Sequence, residues 1–102
     1  MANWTRIARL DECPPGRAIE RVACERVLAL ANVDGTLYAI DGVCPHQGGP
    51  LGQGTLCAAV LTCPWHGWQF DVSTGQHLLN PRIQQPSYPV RVEDEWILVD
   101  LG

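Results

Sequence analysis

Cys44-Pro-His46-Gln-Gly-Gly-Pro-Leu-Gly52 and Cys63-Pro-Trp-His66-Gly-Trp-Gln-Phe-Asp71 are the two stretches on which the reading of this chain turns. Each delivers one thiol and one imidazole from a loop rich in glycine and proline, and residues 47–62 separate the two donor pairs. Thiolate is a soft ligand suited to iron–sulfide cores, whereas neutral imidazole adds no negative charge. Two cysteines on one iron and two histidines on the other make a [2Fe-2S] cluster that is easier to reduce than an all-cysteine one. The alternative for such a donor set is a tetrahedral zinc site. Zinc sites pair cysteine with cysteine at about two to four residues and histidine with histidine at a similar distance. Both pairs here are mixed, so the spacing favours iron.

The residues around the donors fit that chemistry. Pro45 and Pro64 each follow a cysteine, where a fixed φ and a missing N–H stiffen the loop. Gly48, Gly49, Gly52 and Gly67 are expected to let backbone approach the sulfides and donate N–H bonds to them. The remaining cysteines, Cys13, Cys24 and Cys57, have no framework spacing and read as small hydrophobes, not as disulfide partners.

With 102 residues and 46% hydrophobic content, residues 1–102 are expected to form a single domain. No apolar stretch approaches the length of a membrane span, and Met1-Ala-Asn-Trp-Thr-Arg6 lacks a secretory pattern, so the expectation is a soluble, cytoplasmic protein. The net charge is −4, there is no lysine, and the seven arginines are scattered, which leaves no electrostatic footprint for nucleic acid. A protein of this charge is expected to meet a basic partner surface.

The pattern along the chain is all-β. Trp4–Leu10, Arg17–Ala23 and Val27–Asn32 read as strands, and Asp34-Gly35 is a strong hairpin signal before Thr36–Ile40. Val60–Thr62 leads into the second donor loop, and Gln69–Val72 with Gln76–Leu79 reads as a small hairpin. Pro81–Pro86 reads as a loop, and Tyr88–Val92 pairs through Glu93-Asp94-Glu95 with Trp96–Asp100. No segment has a sustained helical period. Gly52-Gln-Gly54 reads as turn structure, not as a nucleotide loop. His77 reads as an exposed spectator, and Trp65 and Trp68 either cover the metal centre or, for Trp65, contact a partner.

Over residues 42–75 the two donor loops resemble those of Rieske proteins, and specifically of soluble Rieske-type ferredoxins. The resemblance implies a β-sandwich base with a small inserted cluster-binding lobe over about residues 43–72. It implies one [2Fe-2S] cluster per chain, with Cys44 and Cys63 on the inner iron and His46 and His66 on the outer one. It further implies a one-electron carrier that passes electrons from a flavin reductase to a terminal oxygenase or similar enzyme, with no catalytic residues of its own. The alternative role is the small Rieske-like subunit of a nitrite reductase-type complex.

Respiratory and photosynthetic relatives carry an extra cysteine in each loop, forming a disulfide, at the positions of Gly49 and Trp65 here. They also carry hydroxyl donors to sulfur at the positions of Trp68 and Phe70. Fewer donors to sulfur stabilise the reduced state less, so a potential in the lower part of the Rieske range, roughly −150 to +300 mV, is expected. An oxygenase is excluded by counting. A mononuclear iron needs two histidines and a carboxylate, and only His77 is unassigned.

Overall fold

The computed structural model describes residues 2–102. Among the described residues ten strands make three antiparallel sheets: β1 (Trp4–Arg9), β2 (Ala18–Ala23), β3 (Arg26–Val33), β4 (Thr36–Asp41), β5 (Thr55–Cys57), β6 (Val60–Thr62), β7 (Gln69–Asp71), β8 (Ser87–Tyr88), β9 (Val90–Glu93) and β10 (Trp96–Asp100). The orders are β1-β10-β9, β2-β3-β4-β8 and β5-β6-β7. The first two sheets form the sandwich base. The third lies between β4 and β8 in sequence and carries the lobe, as the resemblance implies. Helical structure among the described residues is limited to two single 3₁₀ turns, Leu10–Glu12 and Leu51–Gln53.

Strand β3 organises the packing because both of its faces are buried. Side chains alternate across a strand, and the run Leu28-Ala29-Leu30-Ala31 sends leucines one way and alanines the other. Leu28 and Leu30 pack with Ala8, Ile97 and Val99 of the facing sheet. Ala29 and Ala31 pack with Leu51, Leu61, Phe70, Cys44 and Cys63. Large residues fill the space within the sandwich, and small ones admit the lobe close to the strand.

Two departures from the sequence reading have local causes. The run 88–92 is two strands, because Pro89 lacks an N–H for a ladder. β8 ends there on β4 (Ala39 opposite Tyr88), and β9 starts on β10 (Val99 opposite Val90), so the proline marks the switch between sheets. Thr55–Cys57 forms β5, too short to show an alternating pattern.

The turn at Cys24-Glu25 carries no turn-forming residue, yet it closes β2 on β3 with both residues left-handed, at φ 51° and 63°. Asp34-Gly35 does the same for β3 and β4 at 52° and 96°. Two-residue hairpin turns match strand twist in this conformation, but an L-residue other than Asn or Asp is strained in it by roughly 1–2 kcal/mol. Glu25→Gly relieves that strain against a glycine entropy cost of about 0.5–1 kcal/mol. The expected outcome in a thermal melt is a Tm about 2–5 °C higher for Glu25→Gly and a lower one for Gly35→Ala; a lower Tm for Glu25→Gly would contradict the strain assignment.

Candidate metal centre

Both donor loops are closed on themselves by backbone bonds. In the first, the Gly48 N–H donates to the Cys44 carbonyl at 2.8 Å and the Cys44 N–H to that of Gly49 at 2.9 Å. In the second, between β6 and β7, the Cys63 N–H donates to the Trp68 carbonyl at 2.7 Å. The structure places the four sequence-predicted residues on these two loops, thiol beside thiol and imidazole beside imidazole, and sorts them by depth. Cys44 and Cys63 are each 1% exposed, whereas His46 and His66 lie at the surface, their ring centroids 5.1 Å apart at 79°. Two neighbouring thiols thus lie inside and two neighbouring imidazoles outside. A two-iron core with one pair on each iron matches the layering.

The surroundings fit such a group. Burial pushes the Cys44 thiol above its ordinary pKa; backbone N–H groups of His46 and Gln47 act against this, and the adjacent Cys63 reinforces it. Burial thus disfavours the Cys44 thiolate, which a positive metal core would offset. The Trp65 N–H points at the Cys63 sulfur at 3.4 Å. The His66 ring presents Nε2 to the Gln47 amide oxygen at 2.7 Å. An oxygen only accepts, so Nε2 carries the proton and Nδ1 keeps a lone pair for a metal. His66 has φ 65°, a strained value for a non-glycine residue, and local strain of this kind concentrates at functional sites.

Several details differ from expectation. The Gly48 N–H is bound to the Cys44 carbonyl and so is not free to face a sulfide. Gly49 instead gives room: a Cβ there would lie 2.8 Å from the Cys63 sulfur and 3.0 Å from the Trp65 Cβ. Gly52 faces the backbone of Glu20 in β2 and serves packing between lobe and base. His77 is buried, not exposed. Its Nδ1 accepts the N–H groups of Leu79 and Asn80 at 3.0 and 3.1 Å, which ends the expected Gln76–Leu79 strand after single bridges to Phe70 and Gln84. Trp68 stacks on the His46 ring, with centroids 4.5 Å apart and planes 9° from parallel. Trp65 is 48% exposed. Gln47 was overlooked in the sequence although it adjoins a donor histidine.

Residues 3–92 match the family model of the Rieske [2Fe-2S] domain. The chain belongs to the Rieske [2Fe-2S] domain family. It is 34% identical over 101 residues to the ferredoxin component of a naphthalene 1,2-dioxygenase system from Pseudomonas aeruginosa, covering 98% of this chain and 97% of that one. Among solved structures it resembles the ferredoxin of Sphingomonas yanoikuyae B1, with TM-score 0.88, 30% identity, and 98% and 100% of the two chains covered. It also resembles a chain described as an NADH-dependent nitrite reductase small subunit from Mycobacterium tuberculosis, with TM-score 0.90, 25% identity, and 100% and 97% covered. The cofactor of this Rieske protein is one [2Fe-2S] cluster per chain, and its role is electron transfer, not catalysis.

The close approach at Gly49 is directly testable. Gly49→Ala is expected to keep its far-UV circular dichroism but to bind less iron per chain, because Trp65, standing where the relatives with a cysteine at this position have their second cysteine, leaves the new methyl no room but that beside the Cys63 sulfur. Full iron content in this variant would contradict the stated need for that space.

Proposed function

We propose that Cys44 and Cys63 hold the inner iron and His46 and His66 the outer one, and that residues 1–102 form one Rieske domain. We further propose that this domain acts in the cytoplasm as a mobile carrier between a flavin reductase and a terminal oxygenase. The observation that carries this reading is the layering of the four donors, with thiols enclosed and imidazoles at the surface. When bound, such a cluster supplies one reversible electron at moderate potential. The residues of the chain do the rest. The cysteines anchor the centre in the low-dielectric interior, the N–H groups of His46, Gln47 and Trp65 face the sulfur charge, and the imidazoles provide the short route to a partner. Among the described residues the one further histidine, His77, is buried with Nδ1 engaged, which supports a relay over an enzyme acting on an organic substrate. No helix of the described residues is long and apolar enough to cross a membrane.

The dioxygenase-system ferredoxin relative supports the oxygenase setting. The likeness to the nitrite reductase small subunit supports the second reading, a fixed subunit of a larger reductase. The two differ in how the chain meets its partner. A transient carrier of net charge −4 steered by opposite charge slows as salt rises, since screening sets in over about 10 Å near 0.1 M. A fixed subunit stays bound.

The purified protein is expected to contain two irons and two acid-labile sulfides per chain, to lose them in Cys44→Ser or Cys63→Ser, and to keep them in Cys24→Ser and Cys57→Ser. Its electron transfer to a terminal oxygenase should slow with added salt. One zinc per chain and no sulfide would overturn the ligand assignment, and a salt-resistant complex with a larger reductase would replace the carrier reading with the subunit reading.

Phe70 tests the proposed cause of a low potential. It is fully buried in the core cluster that holds Cys44 and Cys63, at the position where the higher-potential relatives carry a hydroxyl. Phe70→Tyr adds one oxygen and little volume. A hydrogen bond to charged sulfur is worth about 1.5–3 kcal/mol, but only its difference between redox states enters the potential. A rise of a few tens of mV is expected, on a scale of about 59 mV per tenfold change in a one-electron couple. Protein-film voltammetry at fixed pH reads it directly; an unchanged or lower value with the cluster intact would refute the hydroxyl argument.

A further inference from the structure

His77 is the one residue of the described chain with a buried side-chain nitrogen that finds no hydrogen-bonding partner: Nε2 is enclosed and unpaired, in a ring only 7% exposed. With Nδ1 accepting two backbone N–H groups, the proton of the neutral ring sits on Nε2. An enclosed N–H without an oxygen or nitrogen acceptor is costly, so the position calls for an explanation. What surrounds it is aromatic. The His77 ring is perpendicular to Trp68, at 4.6 Å and 85°, and to Phe70, at 5.2 Å and 86°. Edge-to-face contact of this kind is a preferred aromatic geometry, and an N–H directed at a π face is a weak donor contact in its own right. The opposite neighbour of Trp68 is His46, stacked at 4.5 Å and 9° from parallel.

We propose that His77 is a positioning residue for the histidine side of the metal centre: its buried ring holds the Trp68 indole, and the indole fixes the plane of the His46 imidazole. The proposal rests on the assignment of His46 as an iron ligand. His46 stands on an exposed loop, and among the described residues its ring makes no side-chain hydrogen bond like the one that His66 donates to Gln47. The stacked indole supplies the corresponding restraint. The indole in turn is held because His77 is tied at Nδ1 to the backbone of residues 79 and 80 and bridged to β7 opposite Phe70. The orientation of a metal-bound imidazole is set by what its ring touches beyond the metal, and such outer contacts tune the centre.

Two substitutions separate this role from simple maintenance of the 77–80 loop. His77→Gln keeps an acceptor for the Leu79 and Asn80 N–H groups but removes the ring. His77→Phe keeps the ring but removes the acceptor, a loss that water can make good because Leu79 and Asn80 are exposed. Each protein is purified with its cluster, reduced, and examined by EPR for its principal g values and by film voltammetry for its midpoint potential. The expected pattern follows the ring: shifted g values and potential in His77→Gln, wild-type values in His77→Phe. In the Trp68→Ala background, where the indole no longer transmits the contact, His77→Gln should produce no further shift, the non-additivity expected of coupled positions. With the cluster present in the wild type, any other pattern overturns this proposal alone. A wild type without iron and sulfide overturns the ligand assignment and this proposal with it.

Discussion

The sulfur of Cys63 lies where a single methyl on Gly49 would touch it, and this close approach of two loops from different parts of the chain is what the lobe is built to hold. Burial beside Cys63 pushes the Cys44 thiol above its ordinary pKa, so its thiolate is unfavourable without a positive partner. The fold tolerates the two thiols by giving each sulfur N–H donors and by seating both loops on a firm base. That base is the alanine face of β3, whose other face is locked by leucines into the sandwich. A larger residue at Ala29 or Ala31 would push the lobe outward, and the two loops would lose their common support.

The depth ordering of the donors connects packing to function. Sulfur, which needs exclusion from water to remain stable, is enclosed by Leu51, Leu61 and Phe70. Imidazole, which tolerates solvent, lies outside, one ring held by a hydrogen bond from its Nε2 to Gln47 and the other by the face of Trp68. The strained φ of His66 is maintained by the backbone closure of its loop. On the proposed ligand assignment, a surface imidazole bound to a buried core would be a short, rigid route for an electron to a partner.

Much of this was legible in the sequence because the decisive information is local. The strand at Val27–Asn32, the Asp34-Gly35 turn and the strand at Trp96–Asp100 are each written within a few residues, and the structure has them. The positions matching the extra cysteines of relatives, Gly49 and Trp65, do lie side by side. What was not legible depends on distant partners. His77 looks like a polar residue in a surface turn, and only the return of 77–83 across β7 buries it. Gly52 reads as part of a donor loop, and only the fold shows that its missing Cβ makes room for Glu20 of β2. The turn at Cys24-Glu25 is left-handed without a residue that favours it, because the β2–β3 ladder overrides local preference there.

The central claim is that two imidazoles and two thiols divide one cluster between them, and the most direct measurement is pulsed EPR on the reduced protein with ¹⁵N-labelled histidine. The account predicts two strongly coupled histidine nitrogens, one from His46 and one from His66, with His77 contributing none. A single coupled nitrogen, or none in a protein that holds iron and sulfide, would contradict it.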